Sequence, residues 1–462
     1  MKDEADVIEL AGKHVVIVGG GKSGLAAARL CLEAGARVTI NDAKHESEAA
    51  LLTTGAREIG AELVLGGHPE ALFGSADVIV LSPGVPSLAI IDAAERRGAR
   101  VMAEVELASH WLRGTLVGIT GSNGKSTVTT LVGEMAALAA RAEGGRPSFT
   151  GGNLGDALAL AASSPAAGES GLVVAELSSF QLERSTSMRC AVAACLNVTA
   201  DHLDRHGTFA AYAAAKGRIF LTQSKGDAAV VPAGDELCLS LARAGVATIS
   251  TFGGTDGAVR VAGGAIVDAA SGLEFPIAKL RIRGLHNQAN ACAAALIARL
   301  AGIPRGAIAE VLGSFAGLPH RMVHVRDLDG VAYYDDSKAT NVGASVAALD
   351  GLSDLEGRVV LIAGGVDKGG SYAPLRERME RVGRAVVLIG EAAPLIRDAF
   401  AGSPVPIESA TTIDDAVAKA RALARPGDAV LLAPACASFD MFRSYAHRGD
   451  ELQRAVRALP EG

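Results

Sequence analysis

A strand, a glycine loop and a long helix follow one another between residues 115 and 142, and this arrangement constrains the fold more than any other feature. The apolar run 116–119 predicts a β-strand, Thr120–Thr127 (TGSNGKST) contains two glycines, and an alanine- and leucine-rich helical pattern comes next. This order is the layout of a P-loop, in which backbone N–H groups and the positive end of the helix face a phosphate. The sequence therefore predicts an α/β domain that binds a nucleoside triphosphate.

Two side chains of this loop are expected to act directly on the nucleotide. Lys125 can reach the β- and γ-phosphates, and the Ser126 hydroxyl can bind Mg²⁺. The usual pattern has a glycine five residues before Gly124, where this chain has Ile119, so an ordinary β-turn-α connection stays the alternative. The other loop residues expected to contact ATP are Gly121, Ser122, Asn123, Gly124 and Thr127.

A second glycine loop lies near the start of the chain. Gly19, Gly21 and Gly24 form G-x-G-x-x-G between a predicted strand at 15–18 and an alanine-rich helix, and Asp42 follows the next strand. In dinucleotide-binding domains such a loop holds the diphosphate and the acid binds a ribose. From these residues alone NAD is the first candidate, and a tight turn without ligand is the alternative.

Alternating strand and helix patterns restart twice along the 462 residues, which predicts three α/β domains with mainly parallel sheets. We place the boundaries at 1–103, 104–317 and 318–462, with Rossmann-like first and third domains around a central P-loop domain. The glycine-rich segment 253–272 is predicted to be a peripheral hairpin region, and 149–155 a glycine loop.

Several polar residues of the central domain are candidates for the site. Glu176 ends a predicted strand after the P-loop, a natural place for a group that holds Mg²⁺ or its water, and a merely solvated carboxylate is the alternative. His202 by itself is more typical of a loop histidine, and the Lys216 ammonium cannot ligate a metal, so Lys216 is either a phosphate partner or solvated. Asn290 could read a base edge or cap a helix.

Composition narrows the classes of function. The formal net charge of −7 comes from mixed acidic and basic residues, which argues against nucleic-acid or membrane-surface binding. Six cysteines without a CxxC pair suggest buried free thiols in a reducing compartment. The acidic segment at residues 1–10 lacks the pattern of a signal peptide, so we expect a cytoplasmic location. Separately, we expect the protein to be a monomer.

Six motifs in this order resemble those of the Mur ligases, and the runs ELSSFQLE, DSKATN and APACASFD (433–440) resemble the members that add D-glutamate. The resemblance implies ATP-dependent joining of D-glutamate to UDP-N-acetylmuramoyl-L-alanine through an acyl-phosphate, in peptidoglycan synthesis. It also accounts for Ile119, because the family's P-loop lacks that first glycine. The motifs are Thr120–Thr127, Glu176–Glu183, Asn197–Arg205, Gly284–Asn290, Pro319–Arg321 and Asp336–Asn341.

The resemblance also implies residue roles. The first domain would bind UDP rather than NAD, and carbamylation of Lys216 by CO₂ would turn its amine into a ligand for a second Mg²⁺, together with His202. The catalytic set would be Lys125, Lys216, His202, Glu176 and Arg321, and the metal ligands Ser126, Glu176, His202 and Lys216. ATP would also meet Asn290, Arg321, Asp336 and Lys338. The UDP-substrate would meet Gly19, Gly21, Gly24, Asp42, Ser82, Gly84, Asn153 and His202, and D-glutamate would meet Thr340, Lys368, Ser438 and Tyr445.

Three other functions stay open on the sequence: folate polyglutamate synthesis, an NAD-dependent oxidoreductase, and a non-catalytic ATP-binding switch. The first would not need the N-terminal glycine loop. An oxidoreductase would give Lys125, Glu176 and the C-terminal domain no function. A non-catalytic ATP-binding switch would give Thr340, Lys368 and Ser438 none. The base that deprotonates D-glutamate also stays open, because a metal-bound His202 has no free lone pair for the proton.

Overall fold

Short apolar strands alternate with helices in the computed structural model, which describes residues 8–282, 284–352 and 355–461. Most strands are continuous apolar runs, as expected for parallel sheets covered by helices on both faces. The acidic start of the chain, residues 1–7, lies outside the described residues. The predicted α/β class with three mainly parallel sheets is confirmed.

Five parallel strands form the first sheet. Their order is β3-β2-β1-β4-β5, so the chain reverses its direction of travel across the sheet after β3. In open α/β sheets ligands bind outside the carboxyl ends of the strands at such a point. The elements are β1 (His14–Val18), α1 (Lys22–Glu33), β2 (Arg37–Asp42), α2 (Ala50–Ile59), β3 (Glu62–Leu65), α3 (Glu70–Gly74), β4 (Val78–Leu81), α4 (Ala89–Arg96), β5 (Arg100–Ala103) and α5 (Glu104–Ser109).

The second sheet has the order β14-β13-β12-β11-β10-β9-β6-β8-β7. Only β12, β13 and β14 pair antiparallel, which confirms the predicted hairpin region. The elements are β6 (Thr115–Thr120), α6 (Lys125–Ala140), β7 (Ser148–Gly152), α7 (Ala159–Ala162), β8 (Leu172–Glu176), α8 (Ser179–Glu183), β9 (Val192–Cys195), α9 (Leu203–His206), α10 (Phe209–Leu221), β10 (Ala228–Pro232), α11 (Glu236–Arg243), β11 (Thr248–Phe252), β12 (Val259–Ala262), β13 (Ala265–Asp268), β14 (Leu273–Pro276), α12 (Leu285–Leu300) and α13 (Arg305–Ser314).

The prediction of a loop at 149–155 was wrong for its first half. Residues 148–152 form the edge strand β7, which pairs in parallel with β8. Gly151 and Gly152 favour a turn on local propensity, but neither has room for a side chain. A Cβ atom at Gly151 would lie 2.3 Å from the Asp156 carbonyl oxygen, and one at Gly152 2.5 Å from the Glu176 carbonyl oxygen. Close packing of the edge strand therefore requires the glycines that suggested a loop.

The third sheet has the order β15-β16-β20-β17-β18-β19, with only the edge pair β15–β16 antiparallel. The described residues divide into two compact units: 8–198 with Ala213–Lys279 and Ala289–Gly313, and Thr199–Tyr212 with residues 280–288 and 314–461 as far as they are described. The elements are β15 (Val323–Leu328), β16 (Val331–Asp335), α14 (Val342–Asp350), β17 (Val359–Gly364), α15 (Ala373–Val382), β18 (Gly383–Ile389), α16 (Ala393–Ala399), β19 (Ile407–Ser409), α17 (Ile413–Leu423), β20 (Ala429–Leu432) and α18 (Tyr445–Ala458).

Two fully buried carboxylates on α5 differ in how they are satisfied. Glu106 accepts hydrogen bonds from the Ser187 N–H and hydroxyl at 2.8 and 2.6 Å and from the Met188 N–H at 3.0 Å. Glu104 accepts from the Ala159 N–H at 2.5 Å through Oε1, and its Oε2 has no hydrogen-bond partner among the described residues. Burial raises the pKa of Glu104 to about 7, since the backbone hydrogen bonds only partly oppose it.

We expect Glu104→Gln to stabilise the protein at pH 8 and not at pH 5. The folded-state pKa of Glu104 lies above the unfolded value, so its contribution to stability is complete below pH 4.5 and is lost as the pH rises toward 7. Glutamine stays neutral throughout, which should add about 1–3 kcal/mol to the free energy of unfolding at pH 8.

Urea unfolding of wild type and variant at both pH values measures this difference. Glu106→Gln is the matched control, and it should destabilise the fold at both values, because its amide cannot accept all the hydrogen bonds of the carboxylate. An equal effect of Glu104→Gln at pH 5 and pH 8 would contradict the assignment.

Candidate active site

A pocket of about 450 Å³ opens at the carboxyl edge of the first sheet. It lies where β1 and β4 run into their loops, the position at which nucleotides bind in doubly wound sheets. Five of the residues predicted to hold the UDP moiety line this pocket, and Gly24 lies in the first turn of α1 behind the loop. The five are Gly19, Gly21, Asp42, Ser82 and Gly84.

Polar side chains fix the shape of this glycine loop. The Asp42 carboxylate accepts from the N–H groups of Gly20 and Lys44 at 2.7 and 3.0 Å, and the Ser82 hydroxyl donates to the Gly19 carbonyl at 2.6 Å. Gly24 packs so closely that a Cβ atom there would lie 1.9 Å from the Gly19 oxygen. Asp42, predicted to meet a ribose, thus also holds the loop that surrounds the pocket.

His68 lines the same pocket and was not among the predicted residues. Its Nδ1 lies 2.6 Å from Asn41 Oδ1, while the Asn41 amide nitrogen donates to the carbonyls of Val64 and Gly67. The Asn41 nitrogen uses both of its hydrogens in these two bonds, so the atom that faces His68 is the amide oxygen, which can only accept. Nδ1 of His68 therefore carries the proton. A histidine after the short strand β3 was the only sequence signal for it.

The predicted P-loop connects β6 to α6. Gly124 precedes the helix with φ +84°, and a Cβ atom there would lie 2.5 Å from Asn290 Oδ1, so only glycine fits. Asn290 is the sixth residue of α12 and hence does not cap it. Lys125 Nζ donates to the carbonyls of Gly121 and Ser122 at 2.8 and 2.9 Å. The structure therefore brings Gly124, Lys125 and Asn290 together around one loop.

Asn197 follows β9, the strand that pairs with β6, and forms hydrogen bonds to the P-loop. Its Oδ1 accepts from the Asn123 N–H at 2.8 Å, its Nδ2 donates to the Asn123 carbonyl at 3.0 Å, and its own carbonyl accepts from the Ser122 N–H at 3.0 Å. Asn197 belongs to one of the quoted motifs, but its partners lie 74 positions earlier in the chain. Only the fold shows this role.

Glu176 has the environment of a cation ligand. It ends β8 beside β6, in register with Ile119, and is 2% exposed. Oε1 accepts from Asn153 Nδ2 at 2.8 Å, whereas Oε2 is buried without a partner among the described residues. A buried carboxylate oxygen with spare acceptor capacity, near the hydroxyl-bearing P-loop, fits Mg²⁺. No group of three or more His, Cys, Asp or Glu side chains suited to a metal occurs in the described part of the chain.

Lys216 reaches the P-loop from α10. It is 1% exposed, and its Nζ donates to the Gly121 carbonyl at 2.8 Å, the same oxygen that accepts from Lys125. The solvated-face alternative for Lys216 is therefore wrong. A buried lysine at a phosphate-binding loop is a functional candidate in either of the two forms considered, as a cation or as a modified ligand.

In the second unit, one set of polar side chains joins the loops after β16 and β17. Lys368 Nζ lies 3.4 Å from Thr340 Oγ1 and 3.5 Å from Asp201 Oδ1. Asn341 Nδ2 donates to Asp201 Oδ2 at 2.9 Å, while its Oδ1 accepts from the Ala344 N–H and caps α14. The predicted pair Thr340 and Lys368 is thus adjacent, and Asp201 is a partner that sequence reasoning left without a role.

Backbone hydrogen bonds attach the loop after β20 to the same place. The Ala435 N–H donates to the Ala339 carbonyl at 2.9 Å, and Val366 and Ala437 exchange two hydrogen bonds at 2.9 and 3.0 Å. Ser438 follows directly and is 2% exposed. Three loops at the carboxyl edge of the third sheet therefore converge, and they carry Thr340, Lys368 and Ser438.

Tyr445 begins α18, with its ring centroid 5.0 Å from Lys338 Nζ. This distance is suited to a cation–π contact.

Asp336 is buried, and burial raises its pKa to about 7, although the positive charge of Arg321 acts to lower it. His202 has φ +52°, and its Nε2 lies 3.7 Å from Asp201 Oδ2. His202, Arg321, Asp336 and Lys338 all belong to the second unit, and Glu176 and Lys216 to the first.

The glycine loop, the P-loop and the polar edge of the third sheet define a multi-domain α/β nucleotide-binding protein. Family models match along its length: the N-terminal domain of MurD-like Mur ligases at 13–103, the Mur ligase middle domain at 119–298 and the Mur ligase glutamate ligase domain at 320–436. The chain belongs to the Mur ligase family and is a ligase.

Curated relatives match over nearly the full chain. A UDP-N-acetylmuramoylalanine–D-glutamate ligase of Myxococcus xanthus is 44% identical over 98% of this chain and 100% of its own length. The enzyme of the same name from Desulfosudis oleivorans is 43% identical, with 98% of each chain covered. A MurF ligase from Thermotoga maritima, solved in complex with ADP, has the same fold, with a TM-score of 0.57, 18% identity and 99% of each chain covered.

The six cysteines are all free and buried, as predicted. Within residues 8–282, 284–352 and 355–461, no helix has the length and apolar character needed to cross a bilayer.

Proposed function

We propose that this protein joins D-glutamate to UDP-N-acetylmuramoyl-L-alanine at the expense of ATP, in peptidoglycan precursor synthesis. The observation that carries the proposal is 44% identity over 98% of the chain to a relative named for this reaction. A P-loop with a buried carboxylate beside it, and a separate loop cluster rich in hydroxyl and ammonium groups, supply the chemistry that such a ligation needs.

The three proposed domains, residues 1–103, 104–317 and 318–462, divide the substrates among them. The pocket of the first sheet would take the UDP moiety, with backbone N–H groups of the Gly19–Gly24 loop and the start of α1 facing the diphosphate. Asn153, which holds Glu176, would face the sugar-peptide end of the substrate.

The P-loop would activate the alanyl carboxylate. Lys125, in exchanging its loop carbonyls for phosphate oxygens, would offset the charge that develops on the γ-phosphoryl group, and Arg321 would add a second cation. Asn290 would meet the adenine, Asp336 the ribose and Lys338 the phosphates. Bound Mg²⁺ would supply Lewis-acid charge stabilisation, held by Ser126 and Glu176 at one site and by His202 and carbamylated Lys216 at a second.

The third domain would bind the amino acid. The ammonium of Lys368 and the hydroxyls of Thr340 and Ser438 suit the two carboxylates of D-glutamate, and Tyr445 would border them. The alanyl carboxylate would first attack the γ-phosphorus and displace ADP, giving the acyl-phosphate. The D-glutamate amine would then attack the acyl carbon, and the tetrahedral intermediate would lose a proton and phosphate to leave the amide. We also propose a monomer in the cytoplasm, where ATP and UDP-linked sugars occur.

Phosphate release from ATP tests the reaction directly. With UDP-N-acetylmuramoyl-L-alanine present, we expect release with D-glutamate and none with L-glutamate, L-alanine or D-aspartate. Release that depends on another amino acid would replace the substrate, and release with a folate acceptor would favour folate polyglutamate synthesis. Quenching or enhancement of NADH fluorescence on mixing would favour the oxidoreductase reading of the first glycine loop.

A further inference from the structure

Arg448, on the first half of α18, is the largest fully buried side chain of the described structure, and none of the roles above uses it. Among the described residues it makes no ion pair within 4 Å. Burial lowers its pKa to about 10, so the guanidinium is still charged at neutral pH. A buried cation held only by neutral acceptors is costly, which calls for an account of what it does.

Its hydrogen bonds run to two separate loops. Nε donates to Ser337 Oγ at 2.9 Å and Nη2 to the Ser337 carbonyl at 2.8 Å. On the other side, Nη1 and Nη2 each lie 3.2 Å from the Cys436 carbonyl, and Nη1 lies 3.2 Å from the Ala437 carbonyl. The planar guanidinium therefore spans from the loop after β16 to the loop after β20.

The residues it holds are the immediate neighbours of proposed site residues. Ser337 lies between Asp336 and Lys338, on the side assigned to ATP, and Ala437 precedes Ser438, on the side assigned to D-glutamate. The Ser337 hydroxyl in turn donates to the Tyr445 carbonyl at 2.8 Å, which ties in the start of α18. One side chain thus fixes the spacing between the two proposed half-sites of the third domain.

We propose that Arg448 is a positioning residue that holds the ATP-side and D-glutamate-side loops at a fixed separation without touching either substrate. This inference rests on the proposed function. Lysine carries the same charge but has one compact ammonium, which cannot span both loops as a planar fork does. A displacement of about 1 Å at a reacting group can cost about 100-fold in rate, so the loss should be large even though the residue is remote from the substrates.

Arg448→Lys and Arg448→Ala test this, with Arg454→Ala as matched control. Arg454 is on the same helix but half-exposed, and it pairs with Asp414 and Glu451 on the surface. At a temperature where each variant is folded, kcat/KM for D-glutamate should fall by about 100-fold in both Arg448 variants, with a raised KM. The affinity for UDP-N-acetylmuramoyl-L-alanine and all parameters of Arg454→Ala should stay as in wild type.

Chemical rescue separates positioning from folding. Millimolar guanidinium should restore part of the D-glutamate-dependent rate of Arg448→Ala, whereas urea at the same concentration should not. A merely structural role would lower Tm while leaving the KM for D-glutamate unchanged in the folded fraction, and that result would overturn the inference. If wild type itself shows no release with D-glutamate, the proposed function fails; a wild-type KM in Arg448→Lys on an active wild-type background defeats only the positioning role.

Discussion

Replacement of Lys125 by alanine should lower ATP-dependent phosphate release by about 1000-fold, a loss of the size found when one preorganised charge-stabilising donor is removed. The physical reason is the position of its ammonium, 2.8 and 2.9 Å from two carbonyls of the loop that we propose to hold the phosphates. Binding of UDP-N-acetylmuramoyl-L-alanine should be unchanged, because the pocket proposed for the UDP moiety is lined by residues of the first sheet and its loops. Phosphate release and calorimetric titration with the UDP-substrate measure the two effects.

Lys225→Ala is the matched control for this variant, since Lys225 is exposed on the turn before β10. It should behave as wild type in both measurements. Turnover of Lys125→Ala at the wild-type rate would remove the P-loop assignment, and loss of UDP-substrate binding would show that the variant disturbs more than the nucleotide site.

Replacement of Lys368 by alanine should raise the KM for D-glutamate by roughly 10- to 100-fold, the worth of one charge-assisted hydrogen bond to a carboxylate. Lys368 is the cation beside Thr340, and its loss would remove a positive charge that lies 3.5 Å from Asp201 Oδ1, next to the proposed site of an anionic substrate. Steady-state kinetics with D-glutamate as the varied substrate measure the effect, and the KM for ATP should change little.

Lys419→Ala controls for the loss of a lysine elsewhere in the third domain, because Lys419 pairs with Asp415 on the surface of α17. Its KM for D-glutamate should equal that of wild type. An unchanged KM in Lys368→Ala would place the D-glutamate carboxylates elsewhere.

The elements near the site were predictable where local pattern and local structure agree. The strands predicted at 15–18 and 116–119 lie within β1 and β6, and a helix follows each glycine loop as predicted, because apolar runs and helical periodicity are properties of neighbouring residues. Strand β7 was mistaken for a loop, since its glycines are required by contacts with Asp156 and Glu176 that lie further along the chain. At β7, tertiary packing rather than local propensity determines the secondary structure.

The side chains that support the site could not be predicted in the same way. Asn197 acts on a loop 74 positions away, and Arg448 joins a loop 111 positions away to one that lies 11 and 12 positions away, and no local pattern assigns these contacts to either residue. The P-loop lysine and the glycines, in contrast, act within a few residues of themselves, so their spacing carries the information. What the sequence alone conveys is therefore the chemistry of each loop, and what the fold adds is the set of contacts that hold the loops in place.

Asn341 shows how this arrangement limits sequence change. Its amide has two ends with opposite roles, since the oxygen caps α14 and the nitrogen donates to Asp201, 140 positions away. Aspartate would cap the helix equally well but would place a second carboxylate against Asp201, and serine is too short to reach it. We therefore expect a substitution of Asn341 to lose either the cap of α14 or the hydrogen bond to Asp201, unless residue 201 changes as well.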